Sequence, residues 1–274
     1  MRDVEPKPMP RFDPRSLRKT VLRMAYAGST VHIACAFSLI EILTVLYRSH
    51  LRLGTDGPRS FIRDYLILSK GHGVMAQYAC LRELGWITDF DIDRYFSDGT
   101  TLKGLCDAHV PGLEVSSGSL GHGLSVGVGL ALAAKRRQTP QRCFAIVGDG
   151  EMNEGAIWEA LLCAVHFELS NLVVIVDKNG FQAMGATQEV LRLGCLADKL
   201  KAFGLVTREV DGHDEAALHA TILELTNQPV PRPKGIVAHT VKGKGVSFME
   251  GNNRWHYSRL TAETFAAAMA ELES

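Results

Sequence analysis

The sequence predicts an α/β fold in which a parallel β-sheet is flanked by helices. Five apolar runs have the length of strands, and segments with helical periodicity separate them. The runs are continuously apolar, which is typical of strands that are buried on both faces of a parallel sheet. With 274 residues and 46% hydrophobic composition, the chain is long enough to form one large domain.

The first half of the chain is predicted to be mainly helical. A short buried strand is expected at 64–69, and a loop over 97–117 leads into a glycine-rich segment that becomes a helix. Residues 1–13 contain prolines and charges but no apolar stretch, so we expect an extended N-terminal arm and not a signal peptide. The predicted helices are 16–28, 36–51 and 73–85.

Strands and helices alternate regularly in the second half. The predicted strands are 142–149, 171–178, 205–210 and 234–241, and the predicted helices are 154–169, 196–204, 214–227 and 261–273. This order favours right-handed crossovers between parallel neighbours. We therefore expect a single domain over residues 14–274.

Composition excludes several classes of protein. The 30 basic residues balance the 30 acidic ones, which argues against a nucleic-acid or membrane-surface protein. No apolar run approaches the roughly 18 residues that span a membrane. The six cysteines form no CxxC pair and lie mostly in apolar stretches, which predicts reduced thiols in a cytoplasmic protein and argues against a zinc site.

Polar side chains follow two consecutive strands of the predicted sheet. Asp149 lies between Gly148 and Gly150 at one strand end, and Asn179 follows the next strand. Ligands of open parallel sheets bind beyond these ends. The Asp149 carboxylate would repel a phosphate that it met directly, but carboxylate and carboxamide oxygens suit Mg²⁺. Because the glycines permit close backbone approach and a helix N-terminus follows, the sequence predicts a diphosphate held through Mg²⁺.

Two familiar phosphate-binding motifs do not fit this stretch, because Asn153 stands where a dinucleotide fingerprint needs glycine and no lysine follows Gly155. Instead, GDGEMNEGAIWEA followed by NLVVIVDKN resembles the thiamine diphosphate signature in its transketolase form. The segments GSTVHIACAFSLIEIL, LSKGHG, EVSSGSLGHGLSVGVGLALA, VDGHD and VKGKGVSFMEG…WH are also similar to that family. The resemblance implies the diphosphate-binding domain of the thiamine diphosphate-binding fold, with thiamine diphosphate and Mg²⁺ as cofactors.

The resemblance also implies roles for individual residues. Asp149 and Asn179 would bind Mg²⁺ through their side chains, and Phe181 would bind it through its carbonyl oxygen. Gly150 would contact the diphosphate through its backbone. The complete implied cofactor-binding set is His72, Gly118, Leu120, Gly148, Asp149, Gly150, Glu151, Asn179, Phe181 and His256.

Imidazole suits the substrate channel because its pKa lies near neutrality and its nitrogens both donate and accept. By resemblance, His32, His109 and His256 would bind substrate hydroxyls and the developing oxyanion. Glu154 and Glu159 match acidic positions that link two active sites across a dimer. The implied catalytic set is His32, His72, His109, His256 and Glu154.

Some segments depart from the family pattern. The proline and glycines that normally follow the position of His32 are absent, so we expect a reshaped loop there. The segment around His109 is shorter than usual. His122 replaces a common glutamine, and the sequence leaves open whether this change is on the substrate side or neutral. The remaining histidines are predicted to be structural, namely His50, His166, His213, His219 and His239.

In this family, the glutamate that activates the aminopyrimidine belongs to the domain after the one recognised here. We therefore predict the N-terminal subunit of a split transketolase, which would form an α₂β₂ assembly with a C-terminal, pyrimidine-binding subunit. It would transfer a two-carbon ketol unit from a ketose or ketose phosphate to an aldehyde. The alternatives are a deoxyxylulose-phosphate-synthase-like condensation, decarboxylation of 2-oxo acids, or a non-catalytic cofactor-binding subunit.

Overall fold

A computed structural model of the chain describes residues 10–274. Residues 1–9 of the predicted arm lie outside the described residues, and residues 10–13 have no regular secondary structure. The helices are α1 (Pro14–Ala27), α2 (Ile33–Phe37), α3 (Ile40–Val45), α4 (Val74–Glu83), α5 (Asp89–Asp93), α6 (Gly123–Arg136), α7 (Gly155–His166), α8 (Thr187–Val190), α9 (Leu196–Ala202), α10 (Glu215–Asn227) and α11 (Ala262–Glu271).

A five-stranded sheet forms the centre of the fold, as predicted. Its strands are β1 (Tyr65–Leu68), β2 (Cys143–Gly148), β3 (Leu172–Lys178), β4 (Val206–Asp211) and β5 (Lys234–His239). The spatial order is β1-β2-β3-β5-β4, and every neighbouring pair is parallel. The carboxyl ends of all strands therefore meet at one edge, where the loops that contain the predicted site also lie.

Alternate residues of β1, β2, β3 and β5 supply two separate hydrophobic cores. One core packs between the sheet and helices that include α1, α3, α4 and α10, and the other packs beneath α6, α7 and α9. The first core takes Leu66, Phe144, Ile146, Ile175 and Ile236, and the second takes Ile67, Ala145, Val147, Val174 and Val176. Burial on both faces is the physical reason that β1, β2, β3 and β5 are mainly apolar, as predicted. The edge strand β4 differs from the prediction, because Arg208, Glu209 and Asp211 are exposed.

The helix predicted over 36–51 is instead three consecutive pieces. These are α2, α3 and a π-helical segment, Leu46–His50. Ser38 lies between the first two, and its Oγ is within hydrogen-bond distance of the Cys35 carbonyl (3.1 Å) and of Asp177 (2.7 Å). The hydroxyl has one proton, and the closer Asp177 carboxylate accepts it, so a hydrogen bond to a residue 139 positions away lies at the break between α2 and α3. Apolar periodicity does not reveal such a contact.

Two short helices were not predicted. The helix α5 begins with a capping box between Thr88 and Asp91, a signal that the sequence contained. The helix α8 has only four residues and no side-chain cap among the described contacts. Within residues 10–274, no helix is both long and apolar enough to cross a membrane.

The start of α6 packs so closely on the end of β1 that it requires glycine. A Cβ added to Gly123 would lie 2.6 Å from the Ser69 Cα. We expect Gly123→Ala to lower the free energy of unfolding by about 1–3 kcal/mol, because a backbone atom must move. Urea unfolding followed by circular dichroism measures this change.

The matched control is Gly129→Ala in the same helix, where a Cβ would meet no described atom within 4 Å. Its greater helix propensity should stabilise the chain by up to about 1 kcal/mol. Equal stability of the Gly123→Ala variant and the wild type would contradict the close packing of α6 on β1.

Candidate active site

A cavity of about 370 Å³ opens at the carboxyl edge of the sheet. Each predicted site residue except His109 lies in its wall. The predicted residues that line it are His32, His72, Gly118, Leu120, Gly148, Asp149, Gly150, Glu151, Glu154, Asn179, Phe181 and His256. The fold thus brings together residues that are more than 200 positions apart in the chain.

His109 lies outside this cavity. Its side chain is 91% exposed, and its Nδ1 pairs with the Asp107 carboxylate at 2.7 Å. The same carboxylate accepts the His109 backbone N–H at 3.0 Å, which closes a tight local turn on the surface. Leu105, four residues earlier, lines the cavity instead. The shortened segment therefore directs a leucine, and not the histidine, towards the site.

Asp149 is a buried carboxylate that is held by backbone N–H groups. Its oxygens accept hydrogen bonds from Gly150 N–H at 2.9 Å and Gly180 N–H at 2.7 Å. Burial, with the neighbouring Asp177 carboxylate, raises the pKa of Asp149 to about 6. Among the described residues, no cationic side chain forms an ion pair with Asp149, so its charge suits compensation by a bound cation.

The donor set around Asp149 fits a Mg²⁺ shared with a diphosphate. The Oδ1 of Asn179 accepts the Phe181 N–H at 3.1 Å, which holds the carboxamide and the Phe181 backbone together. Residues 10–274 contain no cluster of three or more His, Cys, Asp or Glu side chains that could hold a metal by themselves. Two side-chain oxygens and a carbonyl would leave positions for phosphate oxygens, which Mg²⁺ commonly uses.

Unpartnered amides also line the cavity. Both polar atoms of the Asn153 side chain, and Nε2 of Gln182, are buried without a hydrogen-bond partner among the described residues. Buried polar groups normally have partners. These orphaned atoms therefore fit a polar ligand in the cavity.

Two buried lysines that the motif-based prediction did not include stand in the cavity wall. Lys70 follows β1 and pairs with Asp177, and both side chains are at most 3% exposed. Lys242 follows β5, and its Nζ lies 2.6 Å from Asn253 Oδ1 and 2.9 Å from His256 Nδ1. The sequence did contain a signal for these two lysines, because each comes directly after a predicted apolar strand. Each also lies in a segment that is similar to the family, LSKGHG for Lys70 and VKGKGVSFMEG for Lys242.

Three histidines form a cluster beside these lysines. The ring centroid of His32 lies 5.3 Å from that of His72 and 5.0 Å from that of His256, and those of His72 and His256 are 5.6 Å apart. Burial, followed by the charge of Lys242, lowers the pKa of His32 and takes that of His256 to about 3. Burial with the Lys70 charge also lowers the pKa of His72. All three imidazoles are therefore neutral near pH 7.

Lys242 determines which nitrogen of His256 carries the proton. An ammonium group can only donate, so Nδ1 of His256 accepts from Lys242, and the proton resides on Nε2. The His256 carbonyl also accepts the His32 N–H at 3.0 Å, while His32 adopts a left-handed φ of 70°. This backbone conformation is uncommon for a residue other than glycine, and it lies at the start of the segment in which the sequence departs from the family pattern.

Glu151 holds three loops of the cavity together. One carboxylate oxygen accepts from Ser69 Oγ (2.6 Å) and Gly121 N–H (2.9 Å), and the other accepts from Gly148 N–H (3.1 Å). Its side chain thus ties the turn after β2 to the segments that contain His72 and Leu120. The sequence indicated only a place for Glu151 in the implied cofactor-binding set.

A second buried group holds the segment around Lys242. Arg18 binds both oxygens of Glu41 at 2.7 and 2.9 Å, and its Nε donates to the Lys244 carbonyl at 2.7 Å. His213 Nδ1 lies 2.8 Å from Glu41, while its Nε2 accepts the Val241 N–H at 2.8 Å. Arg18, Glu41 and His213 therefore fix the backbone on both sides of Lys242. The structural role predicted for His213 agrees with these contacts.

Removing Glu151 should destabilise the chain. We expect Glu151→Ala to lower the free energy of unfolding by at least about 2 kcal/mol, since two buried backbone N–H groups lose their acceptor. The control Glu159→Ala removes an exposed carboxylate from α7 and should change stability by no more than about 0.5 kcal/mol. Similar unfolding midpoints for the two variants would contradict the role given to Glu151.

Removal of the Lys242 charge should change the pKa of His256. We expect Lys242→Met to raise the pKa of His256 from about 3, while burial keeps it below its ordinary value of 6.5. Because the pKa of His256 is lower in the folded chain than in the unfolded chain, the free energy of unfolding should fall as pH drops below about 6.5. This decrease should be smaller in the variant.

Histidine-selective ¹⁵N NMR of the chain measures the pKa, and the tautomer can be read from the same nitrogen shifts. Lys199→Met, which removes an exposed lysine on α9, is the control and should leave the His256 signals unchanged. Unaltered His256 signals in Lys242→Met would rule out the contact as described.

Comparison with known proteins agrees with this geometry. Residues 17–273 match the family described as "Transketolase, thiamine diphosphate binding domain". The chain is 38% identical to a subunit of the apulose-4-phosphate transketolase of Phocaeicola vulgatus, over 93% of this chain and 90% of that protein. It is 37% identical to a subunit of the 6-deoxy-6-sulfo-D-fructose transketolase of Clostridium sp., over 94% of each.

Among solved structures, the transketolase of Leishmania mexicana superposes with a TM-score of 0.88 and 27% identity. That match covers 97% of this chain but 41% of the other, so the chain spans less than half of that transketolase. The Campylobacter jejuni transketolase shares the fold, with a TM-score of 0.83 and 24% identity. Fold, site geometry and family match agree, and the chain belongs to the transketolase family, as its thiamine diphosphate-binding domain.

Proposed function

We propose that this chain is the N-terminal subunit of a heteromeric transketolase that uses thiamine diphosphate and Mg²⁺. It would transfer a two-carbon ketol unit from a ketose or ketose phosphate to an aldehyde acceptor. The observation that carries the proposal is the cavity that joins Asp149 and Asn179 to three neutral histidines. Residues 14–274 would form one cofactor-binding domain.

The cofactor would be held mainly at the ends of β2 and β3. Asp149, Asn179 and the Phe181 carbonyl would hold Mg²⁺, and the Gly150 backbone would contact the diphosphate. Lys242 would add a positive charge close to the phosphate oxygens. Gly118 and Leu120, in the opposite wall, would contact the aminopyrimidine. When bound, thiamine diphosphate supplies the electron sink that ketol transfer requires.

The histidines would act on the substrate. A neutral imidazole offers one donor and one acceptor, which suits the hydroxyl groups of a sugar. His256 presents a donor on Nε2, because Lys242 occupies Nδ1. That donor would stabilise negative charge that develops on a substrate oxygen. His32 and His72 would orient the neighbouring hydroxyls, which favours hydroxylated substrates over simple 2-oxo acids.

A second polypeptide is part of the proposal. The two relatives described above have nearly the length of this chain and are named as subunits. Leu162 on α7 is 58% exposed and Val126 on α6 is 39% exposed, and Glu154 and Glu159 are exposed on the same part of the fold. Apolar residues exposed beside acidic ones support a protein contact there. We propose an α₂β₂ assembly with a C-terminal, pyrimidine-binding subunit.

A cytoplasmic location belongs to the same proposal. All six cysteines are free thiols, which agrees with a reducing compartment.

His122 forms one side-chain hydrogen bond among the described residues, to the Leu120 carbonyl at 3.1 Å, and it does not line the main cavity. We therefore assign His122 no part in ketol transfer.

Reconstitution with the C-terminal subunit tests the function. We expect ketol transfer from fructose 6-phosphate to an aldehyde only when both subunits, thiamine diphosphate and Mg²⁺ are present. Asp149→Ala should reduce Mg²⁺-dependent cofactor binding by about 100-fold or more, because a carboxylate ligand is lost and the diphosphate charge is left less compensated. Isothermal titration calorimetry and a coupled assay measure the two quantities.

His109→Ala is the matched control. His109 is exposed and outside the cavity, so we expect activity within about twofold of the wild type, since surface substitutions away from such features have small effects. Full activity of the isolated chain would contradict the heteromeric assignment. Turnover of 2-oxo acids without ketol transfer would favour a different thiamine diphosphate reaction, and cofactor binding without any turnover would favour a non-catalytic subunit.

A further inference from the structure

A buried thiol that the proposed function does not use lies beside the histidine cluster. Cys35 belongs to α2, three positions after His32, in the segment where the sequence departs from the family pattern. It is 2% exposed and lines the main cavity. Among the described residues, its sulfur has one hydrogen-bond partner, Nδ1 of His256, at 3.3 Å. The thiol therefore contacts the imidazole whose other nitrogen would act on the substrate.

Two backbone hydrogen bonds hold α2 in this position. The His256 carbonyl accepts the His32 N–H at 3.0 Å, directly before α2 begins. The Ala34 carbonyl, within α2, accepts the Gly243 N–H at 3.0 Å, and Gly243 directly follows Lys242. The backbone thus ties together the three segments that contain the thiol, the imidazole and the cavity lysine, so their side chains meet in a fixed arrangement.

The thiol is the donor in its contact with His256. Burial raises the pKa of Cys35 above its ordinary value of 9.0, although the Lys242 charge acts in the opposite direction. Cys35 therefore keeps its proton near pH 7. An S–H group is a weak donor, and the unprotonated nitrogen of a neutral imidazole is an acceptor. The hydrogen bond therefore runs from the thiol to Nδ1.

Lys242 competes with the thiol for the same nitrogen. Its Nζ lies 2.9 Å from Nδ1 of His256, which has a single lone pair and cannot accept fully from two donors. Lys242 has other acceptors, because Asn253 Oδ1 lies 2.6 Å from Nζ and an anionic cofactor would add phosphate oxygens. Cys35 has no other acceptor among the described residues. The thiol is therefore the donor that stays with Nδ1 when Lys242 turns to another acceptor.

We propose that Cys35 is a positioning residue, whose S–H group holds Nδ1 of His256 when Lys242 turns towards the diphosphate of the cofactor. This inference rests on the proposed function and adds a residue to it. The proton of His256 would then remain on Nε2, and that donor would stay available to negative charge that develops on a substrate oxygen. Cys35 acts through the imidazole and does not itself contact the reacting atoms.

Histidine-selective ¹⁵N NMR of the isolated chain tests the contact without turnover. An imidazole nitrogen whose lone pair accepts a hydrogen bond resonates upfield of one whose lone pair is free. Each single variant, Cys35→Ala or Lys242→Met, keeps one donor, whereas the double variant keeps none. We therefore expect the downfield shift of His256 Nδ1 in the double variant to exceed the sum of the two single effects. Thiamine diphosphate with Mg²⁺ should move this signal downfield in Cys35→Ala and clearly less in the wild type.

Kinetics of the reconstituted two-subunit enzyme test the effect on ketol transfer. We expect Cys35→Ala to lower kcat by about tenfold and to leave KM within about twofold, because the thiol supports a group that acts mainly in the transition state. Cys35→Ser keeps a donor at this position and should restore kcat to within about threefold of the wild type. The matched control, Cys195→Ala, removes an exposed thiol outside the cavity and should change neither constant.

An unchanged Nδ1 signal in the double variant, or equal losses of kcat in Cys35→Ala and Cys35→Ser, would overturn the positioning role. Ketol transfer by the wild type would persist in both cases, and the proposed function would stand. Absence of ketol transfer by the wild-type assembly would instead overturn the proposed function, while NMR of the isolated chain would still decide the contact.

Thermal unfolding of each variant identifies a loss of kcat that arises from misfolding. In that event, infrared spectroscopy of the folded wild type tests the contact, with Cys35→Ser identifying the S–H stretching band of Cys35. We expect this band at a lower wavenumber than that of a free thiol, because the S–H group donates to Nδ1. A band at the wavenumber of a free thiol would overturn the contact.

Discussion

The buried ion pair between Lys70 and Asp177 is the interaction on which the site depends. Lys70 follows β1 and Asp177 ends β3, so the pair spans β2, the strand between them. Asp177 also accepts hydrogen bonds from Ser38 and Thr240. One carboxylate therefore connects β3 to β1, to β5 and to the break between α2 and α3. A buried pair of this kind adds little net stability, but removal of one partner leaves the other charge unpaired in the core, which is strongly destabilising.

The same charges set the protonation of the groups around them. The Lys70 charge offsets the burial of Asp177 and holds the pKa of Asp177 below its ordinary value. Asp177 in turn adds to the burial that raises the pKa of Asp149. Lys70 and Lys242 reinforce the burial that keeps the histidine cluster neutral. The cavity wall thus contains two lysines, Lys70 and Lys242, which suit an anionic cofactor. It also contains the Asp149 carboxylate, whose charge a bound cation can compensate.

Rigid loops around the cavity come from buried side chains that do not themselves react. Glu151 joins three strand-end segments through three hydrogen bonds, and the group of Arg18, Glu41 and His213 fixes the backbone beside Lys242. Loops that face a ligand must otherwise lose conformational freedom when it binds. Fixing them in advance keeps the donors of the site in place before the cofactor arrives.

Local sequence determined the strands, most helices and the position of Asp149 and Asn179 in the wall of one cavity. Continuous apolar runs predict strands that are buried on both faces, and Asp149 and Asn179 are fixed at adjacent strand ends by the parallel topology. The sequence did not predict the interruption of the helix at Ser38 or the position of His109 on the surface. In both places a side-chain hydrogen bond changes the direction of the backbone. A periodic pattern of apolar residues shows neither the partner of such a hydrogen bond nor the geometry of the turn that it closes.

Tertiary structure alone decided which polar residues act together. The partners Lys70 and Asp177 are 107 positions apart, and Arg18 and Lys244 are 226 positions apart. Hydropathy and motif spacing describe neighbours along the chain, whereas charge compensation depends on distance in space. The sequence by itself therefore determined the fold and the cofactor class, and only the packed structure decided the protonation states of the buried groups and the position of His109 on the surface.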